Sequence, residues 1–250
     1  MFAIFKKELR SYFINPIGYV FVGIFLLFSA LACCYTTLLS RSYDVSLYFT
    51  IAVLGFAVLI PLLTMRLFSD ERKMRTEQLL LTAPISITGM VLGKFFAAFA
   101  LFLGCMAATC LNFIPLYVIA AAERGNLDYD SVFIGPVTSQ IVGGMIGLIL
   151  IGAAFIAIGT FVSSLTENQL AAAVITISAN AGLVGIGLIS PLVGDSLVFL
   201  RVILNWISVI SRFSNLTNGV LDIAALVYFV SLAFIFVFLT IRVYEKRRWS

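Results

Sequence analysis

The chain has 250 residues, of which 62% are hydrophobic and 11% charged, with 16 Lys and Arg, 12 Asp and Glu and no histidine. A soluble domain is nearer half apolar and a quarter charged, so the composition excludes an ordinary soluble enzyme and reads as a polytopic membrane protein. The missing histidine removes the commonest general base and metal ligand, and Cys33, Cys34, Cys105 and Cys110 lie inside apolar runs, where they read as small packing residues and not as a disulfide framework.

The first segment, residues 1–15, is amphipathic. Phe2, Phe5, Leu9 and Phe13 recur at helical spacing, with Lys6, Lys7, Glu8 and Arg10 off that face. This predicts a helix on the cytoplasmic leaflet, its cations toward anionic headgroups. Pro16 supplies a break before the first span. Six apolar runs of bilayer length follow, at about Ile17–Leu39, Leu47–Leu67, Met90–Ala121, Val137–Leu165, Gln169–Leu192 and Ile223–Val243. None carries an acid or a base near its middle. The first run is too long for the apolar core of a signal peptide and reads as an uncleaved span.

Residues 69–86, between the second and third spans, are too polar to enter lipid. Glu71 with Arg75, and Lys73 with Glu77, form i,i+4 pairs on a predicted helix. Ser69 or Asp70 can cap its start and Pro84 should end it. Its Leu79, Leu80 and Leu81 make an apolar edge suited to a groove on another protein. In the third span, Gly89-Met-Val-Leu-Gly93-Lys94-Phe95 superficially resembles a phosphate-binding loop, but it has three residues between the glycines and Phe95 after the lysine, so it is discarded. Residues 123–135 read as a short acidic connector.

Gly143 and Gly147 in the fourth span have the spacing that lets helices approach closely, self-association included. Asn112 and Asn180 are polar at membrane depth and must face protein or water, as helix–helix bonds or as pathway contacts. Pro61, Pro115 and Pro191 are candidate kinks. Within an outer segment at 195–222, Leu197–Phe213 places Arg201, Asn205, Ser208 and Arg212, followed by Asn215, on one helical stripe. Such a stripe predicts an interfacial or re-entrant helix, since a seventh span would export Lys246, Arg247 and Arg248.

Orientation follows from the bases. With a cytoplasmic N-terminus, only Arg41, Arg124, Arg201 and Arg212 fall outside, and the other twelve of the 16 bases fall inside. The positive-inside rule therefore puts both termini in the cytoplasm. The expected fold is all-α and polytopic: one membrane domain over 1–250 with six transmembrane helices. No zinc motif or nucleophile elbow is present, so the sequence offers neither catalytic nor metal-ligating residues and no nucleotide site. Nothing suggests nucleic-acid binding. A pathway of Leu, Ile, Phe, Gly and Ala with scattered Asn and Ser suits an amphiphile better than a compact ion.

Three stretches resemble the ABC transporter type-2 permease family, and most closely its GldF-like, gliding-motility-associated branch. They are Phe5 to Phe13 with Pro16 to Tyr19, Phe68 to Ser86, and Arg212 to Asp222 with the last span and Arg247, Arg248 and Trp249. The resemblance implies a permease subunit, without its own nucleotide site, of an exporter in a bacterial cytoplasmic membrane. ATP and magnesium would sit on a separate ATP-binding subunit. A second permease chain, identical or different, would pair with this one, and a GldG-like auxiliary subunit would accompany them. The 69–86 loop resembles the family's coupling loop, with Asp70, Glu71, Arg72, Lys73, Arg75 and Glu77 as docking contacts and Leu79, Leu80, Leu81 and Pro84 as its apolar end. Family members export drugs, lipids, polysaccharides or peptides. Two other functions remain open: a membrane scaffold bound to the same ATPase, and a stand-alone carrier.

Overall fold

The computed structural model describes residues 1–40, 42–75, 86–124, 135–189, 204–220 and 222–249. These residues are helical, without strands, and six stretches are long and apolar enough to cross a membrane: Pro16–Leu39, Ser46–Lys73, Ile87–Glu123, Thr138–Leu165, Gln169–Ile189 and Ile223–Arg248. The protein is therefore an all-helical, multi-pass membrane protein.

Helix α1 (Phe2–Ile14) is separated from α2 (Pro16–Cys33) by Asn15, whose extended backbone lets Pro16 take the first helical position. The first span ends in a π-helical turn, Cys34–Leu39. Helix α3 (Ser46–Thr64), with Pro61 inside it, runs through a turn into the short α4 (Ser69–Lys73). Helix α5 (Ile87–Thr109) is interrupted by a 3-10 turn at Cys110–Phe113 before α6 (Ile114–Arg124). Pro115 lies just past that break, where it lacks the N–H that a continuous helix would use. Helices α7 (Thr138–Leu165), α8 (Gln169–Ile189), α9 (Val209–Thr217) and α10 (Ile223–Trp249) follow.

Helix α7 is the most enclosed span, packed by α3, α5, α8 and α10. Its glycines admit the neighbours. A Cβ at Gly143 would lie 2.4 Å from the Leu216 carbonyl oxygen, and one at Gly147 would lie 2.6 Å from the Phe213 ring. The close approach read from the Gly143–Gly147 spacing is thus used within the chain, against α9. Both glycines are buried, so they offer no open face for a second chain.

The outer segment departs from one continuous helix. Residues 190–203, including Pro191 and Arg201, lie outside the described residues. Ser208 is extended and caps α9, its hydroxyl accepting from the Ser211 N–H at 3.0 Å. A capping serine favours starting a helix over continuing one, so Asn205 and Arg212 fall on different elements. Helix α9 buries Val209, Phe213 and Leu216 among the spans. One face of this helix is thus part of the bundle's packed interior.

Two ends of the bundle are distinguishable. The near end carries α1, the turn before α4, the start of α5, the end of α7 and the C-terminal part of α10. The far end is tied by Tyr43 to Glu123, by Tyr117 to Thr138, and by Asn215 to Asp222.

Candidate functional site

The densest group of charges lies at the near end, around a lysine inside a membrane-length helix. Helix α5 starts at the Ser86 cap, whose hydroxyl accepts from the Gly89 N–H at 3.3 Å. Gly89 and Gly93, one turn apart, leave a shallow trough in which α1 lies. A Cβ at Gly93 would meet the Ile4 side chain and the Met1 carbonyl oxygen, each at 3.2 Å. The glycine pair that mimics a phosphate loop in sequence is therefore a helix-packing pair.

That seating brings Glu8 of α1 over Lys94. The Lys94 Nζ donates to the Leu67 carbonyl at 2.6 Å, and it pairs with Glu71 Oε1 at 2.8 Å and Glu8 Oε1 at 3.2 Å. Three acceptors match the three N–H bonds of an ammonium group. The Phe68 ring lies 5.0 Å from Nζ, in cation–π range. The Lys94 side chain is 1% exposed, against 14% for Glu8 and 15% for Glu71. Lys7, largely exposed, stands 3.7 Å from both carboxylates and offsets their excess negative charge. A cavity of about 210 Å³ adjoins the cluster, lined by Tyr12, Arg66, Asp70, Glu71 and Lys94 among others. Tyr12 donates to the Leu63 carbonyl at 3.2 Å, and burial first, then the Glu8 charge, push its phenol far above the ordinary range.

A second set of contacts fastens α4 to the end of α7. Ser163 Oγ accepts from the N–H groups of Phe68 and Ser69, at 3.1 and 3.2 Å, and donates to the Met65 carbonyl at 3.1 Å. It caps α4 from another helix. Ser69 does not take that role: the cap position falls on Phe68, and the Ser69 hydroxyl donates to the Met65 carbonyl. Arg72 donates to the Leu165 carbonyl at 2.7 Å and pairs with Glu167 at 3.1 Å. Arg247 donates to the Ser164 carbonyl at 2.7 Å. Two arginines thus satisfy carbonyls that the end of α7 leaves unpaired, where cations also complement the helix dipole.

The expected coupling residues divide into three groups. Asp70, Glu71 and Arg72 face inward, to Arg66, Lys94 and the α7 terminus respectively. Lys73 and Arg75 are exposed. Glu77, Leu79, Leu80, Leu81 and Pro84 lie outside the described residues. The helix also ends sooner than the i,i+4 pattern predicts. Arg75 takes φ +54°, the left-handed conformation that stops a helix, so it leaves the register that would pair it with Glu71.

The two asparagines behave differently. The Asn112 amide donates to Ser29 Oγ at 2.9 Å, and Ser29 Oγ lies 2.9 Å from the Tyr48 hydroxyl, so Asn112 ties the first three spans together. Asn180 is 0% exposed on the packed face of α8, and among the described residues neither its amide nitrogen nor its oxygen has a hydrogen-bond partner.

Sequence reading gives Glu8, Lys94, Ser163 and Arg247 no part in a site. The available signal for Lys94 was its position eight residues into an apolar helix, and for Glu8 that it is the one acid in a basic segment. Comparison with known protein families and with curated proteins finds no match to this chain.

Proposed function

We propose that the chain is the permease subunit of a type-2 ABC transporter of the GldF-like kind, an exporter driven by a separate ATP-binding subunit docked at residues 69–86. The observation that carries this reading is the Glu8–Lys94–Glu71 cluster at the root of that loop. A permease driven by a separate ATP-binding subunit needs a mechanical input, and buried ion pairs between elements pass on a displacement that a solvated loop would absorb. On this reading Lys73 and Arg75 meet the partner, and Glu71 is an internal lever. A push on α4 reaches α5 through Glu71 and Lys94, α1 through Glu8, and α7 through Ser163 and Arg72. Both termini are then cytoplasmic. A second permease chain completes the pathway, and the auxiliary subunit delivers or receives the substrate.

Asn180 adds support. A buried amide without a protein partner costs about 1–3 kcal/mol, which is reasonable if another arrangement of the helices gives it one, from protein or substrate.

The test is ATP-dependent accumulation of an amphiphilic dye in inside-out vesicles carrying the chain with its ATP-binding subunit. Permease action predicts accumulation that Lys94→Met abolishes. A stable complex with no accumulation of any amphiphile would favour the scaffold instead.

A further inference from the structure

Helix α1 has three faces. Ile4, Glu8 and Tyr12 turn inward. Phe2 and Phe5 form an apolar flank that overhangs a groove of about 540 Å³ between α1 and α5. The floor of this groove is Phe96, Phe99, Ala100 and Leu103, the i, i+3, i+4, i+7 stripe of one helix face, about 10 Å long at 1.5 Å per residue. Phe2 is 76% exposed, and no described residue covers it. The third face holds a hollow of about 550 Å³ lined by Ala3, Lys6, Lys7, Arg10, Ser11 and Ile14.

The cations of that hollow are not equivalent. Lys7 is held near Glu8 and Glu71. Lys6 and Arg10, one turn apart and exposed, have no acid within ion-pair distance among the described residues. Like charges at i,i+4 repel, so the pair favours an anion between its members. Lys6 borders the apolar flank on the helical wheel, which sets cationic and apolar surface side by side.

We propose that one anionic phospholipid occupies this place, its phosphate between Lys6 and Arg10 and one acyl chain in the groove along Phe96 to Leu103. A soluble anion would satisfy the cations and leave the groove bare. A zwitterionic lipid would fill the groove and bring no net charge to the pair. The inference rests on the membrane setting of the chain and not on the transport reading, so either can fail without the other.

The experiment uses the purified full chain in mild detergent. The probes are phosphatidylglycerol, phosphatidylcholine of the same acyl chains, and inorganic phosphate. Native mass spectrometry reads the lipid retained, and the thermal unfolding midpoint reads stabilisation. One phosphatidylglycerol should be retained, with a preference of about tenfold or more over phosphatidylcholine, and phosphate alone should not shift the midpoint. K6E/R10E should erase the preference; both residues are exposed, so this variant folds. A100W should reduce retention of both lipids while leaving the charge preference intact. Equal retention of the two lipids by the wild type, or undiminished phosphatidylglycerol binding by K6E/R10E, would overturn the proposal. A full midpoint shift with phosphate would overturn it too, leaving an anion site without a lipid.

Discussion

Lys94 concentrates the energetics of the near end on one side chain. Its ammonium group has exchanged water for two carboxylates and a carbonyl, and a buried pair is most costly when one member is removed. Lys94→Met should destabilise the chain by about 3–5 kcal/mol in a detergent unfolding assay, because it strands Glu8 and Glu71. The same substitution in a Glu8→Gln/Glu71→Gln background should cost much less. Equal losses in both backgrounds would mean that the charges do not interact. Asn180 should behave oppositely: Asn180→Leu, which keeps the branched heavy-atom shape though its methyls are bulkier, removes a buried amide that has no partner among the described residues and should raise stability by about 1–3 kcal/mol where the site accepts the added bulk. Its dye accumulation should fall if the amide is used in another state. At this scale the sequence was only half legible. Asn112 could be read as a helix–helix bond because depth alone demands a partner. Lys94 and Glu8 are 86 residues apart, and nothing local in either segment announces the other.

Helices that meet closely at glycine and borrow caps from one another set the behaviour of the elements. Ser163→Ala should cost about 1 kcal/mol and speed hydrogen exchange at the Phe68 and Ser69 amides, since the α4 cap comes from α7. Gly143→Ala should destabilise by about 1–3 kcal/mol, because the added methyl meets a backbone carbonyl and not a movable side chain. Gly104→Ala, with nothing within 4 Å, is the control and should be neutral or stabilising. At the far end, Asp222 caps α10 through the Ala224 N–H at 2.9 Å and accepts from Asn215 at 3.1 Å. The Asn215 hydrogen bond first, then the backbone one, hold its carboxyl below the ordinary 3.8. A depressed pKa means that its contribution is complete above the ordinary range and is lost as pH falls through the lower folded value. The protection factor at Ala224, which divides out the intrinsic pH dependence of amide exchange, should therefore be unchanged from pH 7 to 5 and fall only in stronger acid. The spans themselves were legible because twenty apolar residues have few other uses. The length of α4 was not: the charge pattern asked for a longer helix, and the backbone at Arg75 ended it.

Across the whole molecule, the near end is a charged platform on an apolar bundle. Four spans and α1 are cross-linked there by ion pairs and by arginine-to-carbonyl bonds. The six-helix architecture could be read from hydropathy and the near-end concentration of bases from their order along the chain. The inward turn of Glu71 could not, because an exposed loop and a lever have the same composition. That turn alters what the docking argument requires: substitutions at Lys73 and Arg75 should weaken a partner's binding, whereas Lys94→Met should leave binding intact and uncouple it from movement.

Affinity purification of the chain from native membranes, followed by mass spectrometry and an ATP-hydrolysis assay, tests this most directly. An ATP-hydrolysing subunit should co-purify with the wild type and with Lys94→Met, and be lost with Lys73→Glu/Arg75→Glu. A well-folded chain recovered at low salt in gentle detergent with no such subunit would contradict it.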